Sequence, residues 1–98
     1  MNIEILETIL AAERLHLEQD GELYRASSEH PLNVMSAAGG DTVRFTKIEA
    51  VDLSPSLIAK GVCGLIRKDA YSLLAIESIF AVEREQPNEL KEKRRTGF

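Results

Sequence analysis

A strict alternation in the middle of the chain commits it to extended structure. From Thr42, Val43 and Phe45 fall on one face and Arg44 and Thr46 on the other, and Ile48-Glu49-Ala50-Val51 continues the run. Successive side chains of extended backbone point to opposite sides, so a two-residue period marks a strand with one buried face. The phase does not carry through. The apolar positions move from 43 and 45 to 48 and 50, which predicts an irregularity near Lys47 where an extra residue bends the strand.

Turn-forming residues break the chain on both sides. Gly39-Gly40-Asp41 reads as a tight turn closing the stretch from Met35 to Asp41, and Asp52-Leu53-Ser54-Pro55 as a break. Ser54 before Pro55 predicts a cap on one helical turn through Ser56-Leu57-Ile58-Ala59, because proline suits the first helical position. Gly61 to Ile66 then reads as a buried strand bent at its glycines, and Arg67-Lys68-Asp69 as a turn. Over Ala70 to Glu83 a helix would scatter Ser72, Glu77, Ser78 and Glu83 around its circumference with no clean apolar stripe. Two strands, Tyr71–Ile76 and Ile79–Glu83, about a Glu77-Ser78 corner fit better, with the helix as the alternative.

At the N-terminus Asn2 can cap a helix carrying Glu4 in its first turn, and Ile3, Leu6 and Leu10 repeat at helical spacing beside Ile5 and Ile9. Two continuations are open. The helix ends near Ala12 and a hairpin follows, Arg14–Gln19 and Glu22–Ala26 about an Asp20-Gly21 turn. Alternatively it runs to Glu18, with Leu6, Leu10 and Leu17 on one stripe and Gly21 as the stop. Ser27 to Asn33, with Pro31, reads as loop. Pro87-Asn88 ends the expected single globular domain (residues 1–86), leaving 87–98 as a polar, partly basic tail.

These segments predict an α+β fold: an N-terminal helix packed on a small, strongly bent antiparallel sheet or small β-barrel of about five or six short strands. The closing strand pair over Tyr71 to Glu83 is similar to the end of Sm-like or SH3-like small barrels, without a diagnostic motif. Aromatics are limited to Tyr24, Phe45, Tyr71, Phe80 and Phe98, so the core must be aliphatic. Cys63 is the only cysteine, so no intrachain disulfide forms and a reducing compartment is favoured. Glu4 and Glu7 do not suit a signal peptide, and no apolar run approaches the ~20 residues that span a bilayer. A cytoplasmic location without membrane association is the expectation.

Candidate chemistry is sparse. Cys63 lies in an apolar stretch, where burial keeps a thiol protonated and makes it a small core residue. His16 and His30, with 13 residues between them, do not form a structural zinc spacing. Ser28-Glu29-His30 facing Asp41 is the nearest thing to an ion site. Gly39-Gly40-Asp41-Thr42 lacks the lysine and following helix of a phosphate loop. Glu49 with Asp52, and Glu83 with Glu85, suit exposed carboxylates better than a paired-acid cleft. No catalytic, metal or cofactor site is assigned.

The net charge is −4, but residues 1–90 hold 15 acids and 8 bases (−7), and Lys91-Glu92-Lys93-Arg94-Arg95 adds +3. An acidic body disfavours phosphate backbones. The expected function is therefore a non-enzymatic protein-interaction module, self-associating as a homo-oligomer or docking on a protein partner. Ile5, Ile9, Tyr24 and Phe80 are its candidate contacts, with core packing as the competing role for each. The alternative is a small-barrel nucleic-acid binder using Arg44, Lys47, Arg67, Lys68 and the Lys91–Arg95 tail. A second alternative is a ligand-binding or enzymatic pocket near Cys63, His30 and Asp41.

Overall fold

A computed structural model describes residues 1–84. The chain runs α1 (Ile3–Leu10), a 3-10 turn (Glu13–Leu15), β1 (Glu18–Asp20), β2 (Leu23–Arg25), β3 (Leu32–Ala38), β4 (Asp41–Ile48) and β5 (Ala50–Asp52). It continues through α2 (Pro55–Ile58), β6 (Val62–Arg67), β7 (Ala70–Ala75), a second 3-10 turn (Ile76–Ser78) and β8 (Ile79–Arg84). Strands make up half of the described residues and form two antiparallel sheets, five-stranded β1-β2-β5-β6-β7 and three-stranded β4-β3-β8. The α+β class and the short N-terminal helix match the sequence. Neither sheet closes on itself, so the structure shows two open sheets with eight strands between them where the sequence marks five or six. The expected tail, with Lys91–Arg95, lies outside the described residues. No helix among the described residues is long and apolar enough to cross a membrane.

α1 ends where the hairpin reading places it. The Asn2 side chain accepts from Ile5 N at 2.8 Å, and Leu6 and Leu10 are buried against the core. The hairpin then differs by one position. Asp20 pairs with Leu23, so the loop is Gly21-Glu22 rather than Asp20-Gly21, and Gly21 supplies the positive φ (61°) at its first position. Residues 13–15 form the 3-10 turn instead of extending the strand. Lys47 is the irregularity that the phase shift marks. Leu32 pairs with Ile48 but Val34 with Phe45, so β4 carries the additional residue, and Lys47 sits at φ 59°. There the single expected strand becomes two: β4 stays in the three-stranded sheet and β5 joins the five-stranded one. Glu49 N donates to Ile66 O and Ala26 N donates to Glu49 O, both at 2.7 Å, which ties the crossing down.

β3, the central strand of the smaller sheet, is not marked by the sequence. Its inward residues are Leu32, Val34 and Ser36, and the small Ser36, Ala37 and Ala38 dilute the apolar alternation. The two expected strands are present with shifted ends, Ala70–Ala75 and Ile79–Arg84, and Ile76, expected in the first of them, opens the 3-10 turn Ile76–Ser78 instead. α2 begins with Pro55 as expected, but Ser54 does not cap it, because its hydroxyl donates to Asp52 Oδ1 instead.

Both sheets and α1 contribute to one core of Leu6, Leu10, Tyr24, Leu32, Val34, Ile48, Val51, Leu53, Cys63, Leu65, Ile76 and Ile79. The open side between β8 and the N-terminal third is closed by Arg84. Its Nε donates to His30 O at 2.7 Å, and Nη1 donates to Leu15 O at 2.6 Å and His16 O at 2.7 Å. His16, left-handed at φ 51°, ends the 3-10 turn so that two consecutive carbonyls converge on the guanidinium. Arg84→Ala leaves three carbonyls without this donor and is expected to lower stability by about 2–4 kcal/mol in urea unfolding. Arg84→Lys should recover less than half of that loss, since one ammonium cannot span the fork. Equal midpoints for wild type and Arg84→Ala would refute the clamp.

Candidate protein-interaction edge

Sheet edges expose unpaired backbone donors and acceptors, and proteins blunt them with short strands, charge, proline or bulges. Three of the four edges here carry such devices. β1 is three residues long with two acids, Glu18 and Asp20. β4 carries Asp41, Arg44 and Lys47 and the bulge at its end. β8 carries Glu83 and Arg84 and a register shift at Phe80. β7 has none: Ala70-Tyr71-Ser72-Leu73-Leu74-Ala75 is uncharged, free of proline and glycine, and in unbroken register with β6.

The outer face at this edge is apolar. Tyr71 pairs with Ile66, Leu73 with Gly64 and Ala75 with Val62, so these side chains share the side turned away from the core. Leu73 is 57% exposed and Tyr71 53%, beside half-buried Val62 and Ile66. Tyr71 lies flat on the sheet. A Cβ on Gly64 would collide with the Tyr71 hydroxyl, so only glycine lets the ring cross β6 in this position. Beyond it the phenol donates to Asp52 Oδ2 at 2.9 Å on β5. Asp52 also accepts from Ser54 N at 3.0 Å and from the Ser54 hydroxyl. The ring is thereby held over the sheet, and the backbone edge of β7 stays uncovered among the described residues.

Burial pushes the Asp52 carboxyl up, but the hydrogen bonds from the Ser54 hydroxyl, Tyr71 and Ser54 N outweigh it and hold its pKa below the ordinary 3.8. For Tyr71, desolvation, the bond to Asp52 and the carboxylate's charge all raise the phenol.

The sequence candidates divide. Tyr24 is 7% exposed and belongs to the core, the competing role the sequence gives it, rather than to an exposed contact surface. Ile9 is half-buried on α1. Ile5 and Phe80 are exposed, 50% and 52%, on separate elements. Lys47, Arg67 and Lys68 do come together around a cleft of about 650 Å³, together with Glu29, Glu49 and Asp69. Arg44 stands apart on the outer face of the small sheet, 3.8 Å from Glu83. Arg67 Nη2 donates to Ser72 Oγ at 2.8 Å, and its buried Nε has no partner among the described residues. Cys63 is fully buried, and that burial pushes its thiol up to about 11, with the Asp52 charge adding to it. It faces the core, whereas Asp41 begins the exposed arm of the β3–β4 hairpin and His30 lies in the loop held by Arg84. The third pocket therefore does not assemble. No group of three His, Cys, Asp or Glu side chains among the described residues could hold a metal ion.

The sequence does not mark Leu73 as exposed, and it offers Tyr71 only as an aromatic beside the basic residues, not as part of a docking edge. Their signal, seven uncharged residues between Asp69 and Glu77, acquires meaning only when the strand is known to be an edge. Comparison with protein-family models, curated proteins and solved structures returns no match.

A group whose folded pKa is depressed stabilises the fold above its ordinary pKa and loses that contribution as pH falls through the folded value. Asp52→Asn is therefore expected to cost about 1 kcal/mol at neutral pH, with the gap to wild type shrinking as pH drops below 3.8. A gap constant down to the acid transition would show that Asp52 is not held ionised by these bonds.

Proposed function

We propose that this chain is a non-enzymatic protein-interaction module that docks through β7 and the outer face beside it. The observation that carries the reading is the contrast among the edges: three are blunted and β7 is open, uncharged and apolar. Strand addition at an open edge gives main-chain hydrogen bonds for affinity and alternating side chains for specificity. Tyr71 suits an anchor role because its bond to Asp52 and its seat on Gly64 fix the ring before binding, which reduces the entropy lost on association.

A photo-crosslinking amino acid at Leu73, compared in the expressing cells with one at Val43, tests the edge. Val43 is also an exposed apolar residue, at 45%, but on the small sheet. Adducts to a protein from position 73 and not from 43 are the expected result. Equal labelling from the two, or none, would remove the proposal.

A second reading, nucleic-acid binding, draws on the meeting of Lys47, Arg67 and Lys68 in one cleft. The same cleft holds three carboxylates, so it offers no excess positive charge, and it takes second place. If it holds, low-salt titration with mixed RNA and DNA oligonucleotides should show affinity falling steeply with added salt. No binding at micromolar protein would end it.

A further inference from the structure

We propose that β7 pairs antiparallel with β7 of a second copy of this chain, about a two-fold axis at Ser72, joining the two five-stranded sheets into one. This rests on the reading of β7 as the docking edge and names its partner.

The first argument is register. A two-fold axis perpendicular to a sheet matches residues of the same parity, so outer faces stay outer. Centred on Ser72, Tyr71 of one copy comes beside Leu73 of the other, and symmetry repeats the pair. Only the stem of Tyr71 then faces Leu73 of the other copy, since its ring points away from the new strand. Because the Tyr71 ring is drawn back over Gly64 towards Asp52, it leaves the edge backbone clear for the incoming strand.

The second argument is charge. Each β7 is neutral along its length but differs at its ends, with Arg67, Lys68 and Asp69 before it and Glu77 after it. Antiparallel pairing sets the net positive end of one strand against Glu77 of the other, twice. Parallel pairing would put like ends together. Centring the axis on Leu73 instead would bring Asp69 opposite Glu77, so the Ser72 axis is preferred.

The third argument is area. Half-exposed Tyr71 and Leu73 with the edge backbone offer on the order of 500 Å² per copy, or about 1,000 Å² in all, the lower end for specific association. An interface of this size suits a weak, reversible dimer rather than an obligate one.

Sedimentation equilibrium of the full chain, from low micromolar to millimolar concentration, tests the pairing. The expected result is a monomer–dimer equilibrium that Leu73→Lys weakens by about ten-fold or more and Val43→Lys leaves unchanged. Both positions are exposed, so unchanged urea midpoints will show that neither variant acts by unfolding. Lys68→Glu should weaken the dimer about three- to ten-fold, and Glu77→Lys added to it should restore affinity. A strict monomer at millimolar concentration, a dimer indifferent to Leu73→Lys, or a Lys68→Glu defect that Glu77→Lys does not rescue would each overturn the proposal. A monomer whose β7 amides are nonetheless protected from hydrogen exchange would also overturn it, since another segment would then occupy the edge. If the chain is monomeric while position 73 still crosslinks to a different protein, the second copy is excluded and the docking edge stands. If neither result appears, both readings fall.

Discussion

The architecture depends on one residue of backbone out of phase. Lys47 adopts a left-handed conformation, which costs a non-glycine residue about 1–2 kcal/mol, and the fold accepts that cost because the strand must change sheets there. Before it, Phe45 faces the small sheet's side of the core. After it, Ile48 and Val51 are buried between the sheets, and Glu49 is bonded on both sides within the larger one. Without the additional residue, a continuous alternation would turn Ile48 to the outer face. The crossing also sets the strand order, because β5 enters between β2 and β6 and leaves β7 at the end of the sheet, with one neighbour among the described residues.

That order explains why Tyr71 and Leu73 lie exposed beside an apolar strand. Val62, Gly64 and Ile66 occupy the outer side of β6, and β7 adds Tyr71 and Leu73 next to them. Gly64 would normally weaken a strand by removing a packing surface. Here the Tyr71 ring fills the vacancy, and Asp52 and Ser54 hold it from the next strand over. The polar network is therefore structural, and in the proposed docking it would also be preparatory. It ties three strands through one phenol and fixes an aromatic surface at the edge.

The charge distribution supports the same division of surfaces. Among residues 1–84 there are 13 acids and 8 bases, a net −5, spread over the helix, loops and guarded edges. The cleft formed by the β4–β5 corner and the β6–β7 turn is balanced, three cations with three carboxylates, which accounts for its weak claim as an anion site. Among the described edges, β7 is the one without charge. Repulsion between acidic bodies acts over roughly a Debye length, about 8–10 Å, so an uncharged contact strip reduces it without abolishing it.

The sequence by itself determined the elements whose cause is local. The Asn2 cap and the stripe of Leu6 and Leu10 specify α1, the phase break at Lys47 locates the bulge, and the polar scatter of Ser72, Glu77 and Ser78 favours strands there without excluding a helix. It also determined that Cys63 is a core residue, because an apolar neighbourhood is visible in the chain itself. Tertiary structure decided what depends on residues far apart. β3 is a strand because β4 and β8 pair with it on both sides, not because Ser36, Ala37 and Ala38 prefer extended backbone. Tyr24 is buried and Tyr71 exposed, though both lie on short strands beside turns, because the strand order gives one the inner face and the other the outer. Arg84 reads as a surface charge until the fold brings the carbonyls of Leu15, His16 and His30 to it. Hydrophobic period and capping act within a few residues and are written in the sequence, whereas which strand is left at an edge follows from the order of all the others.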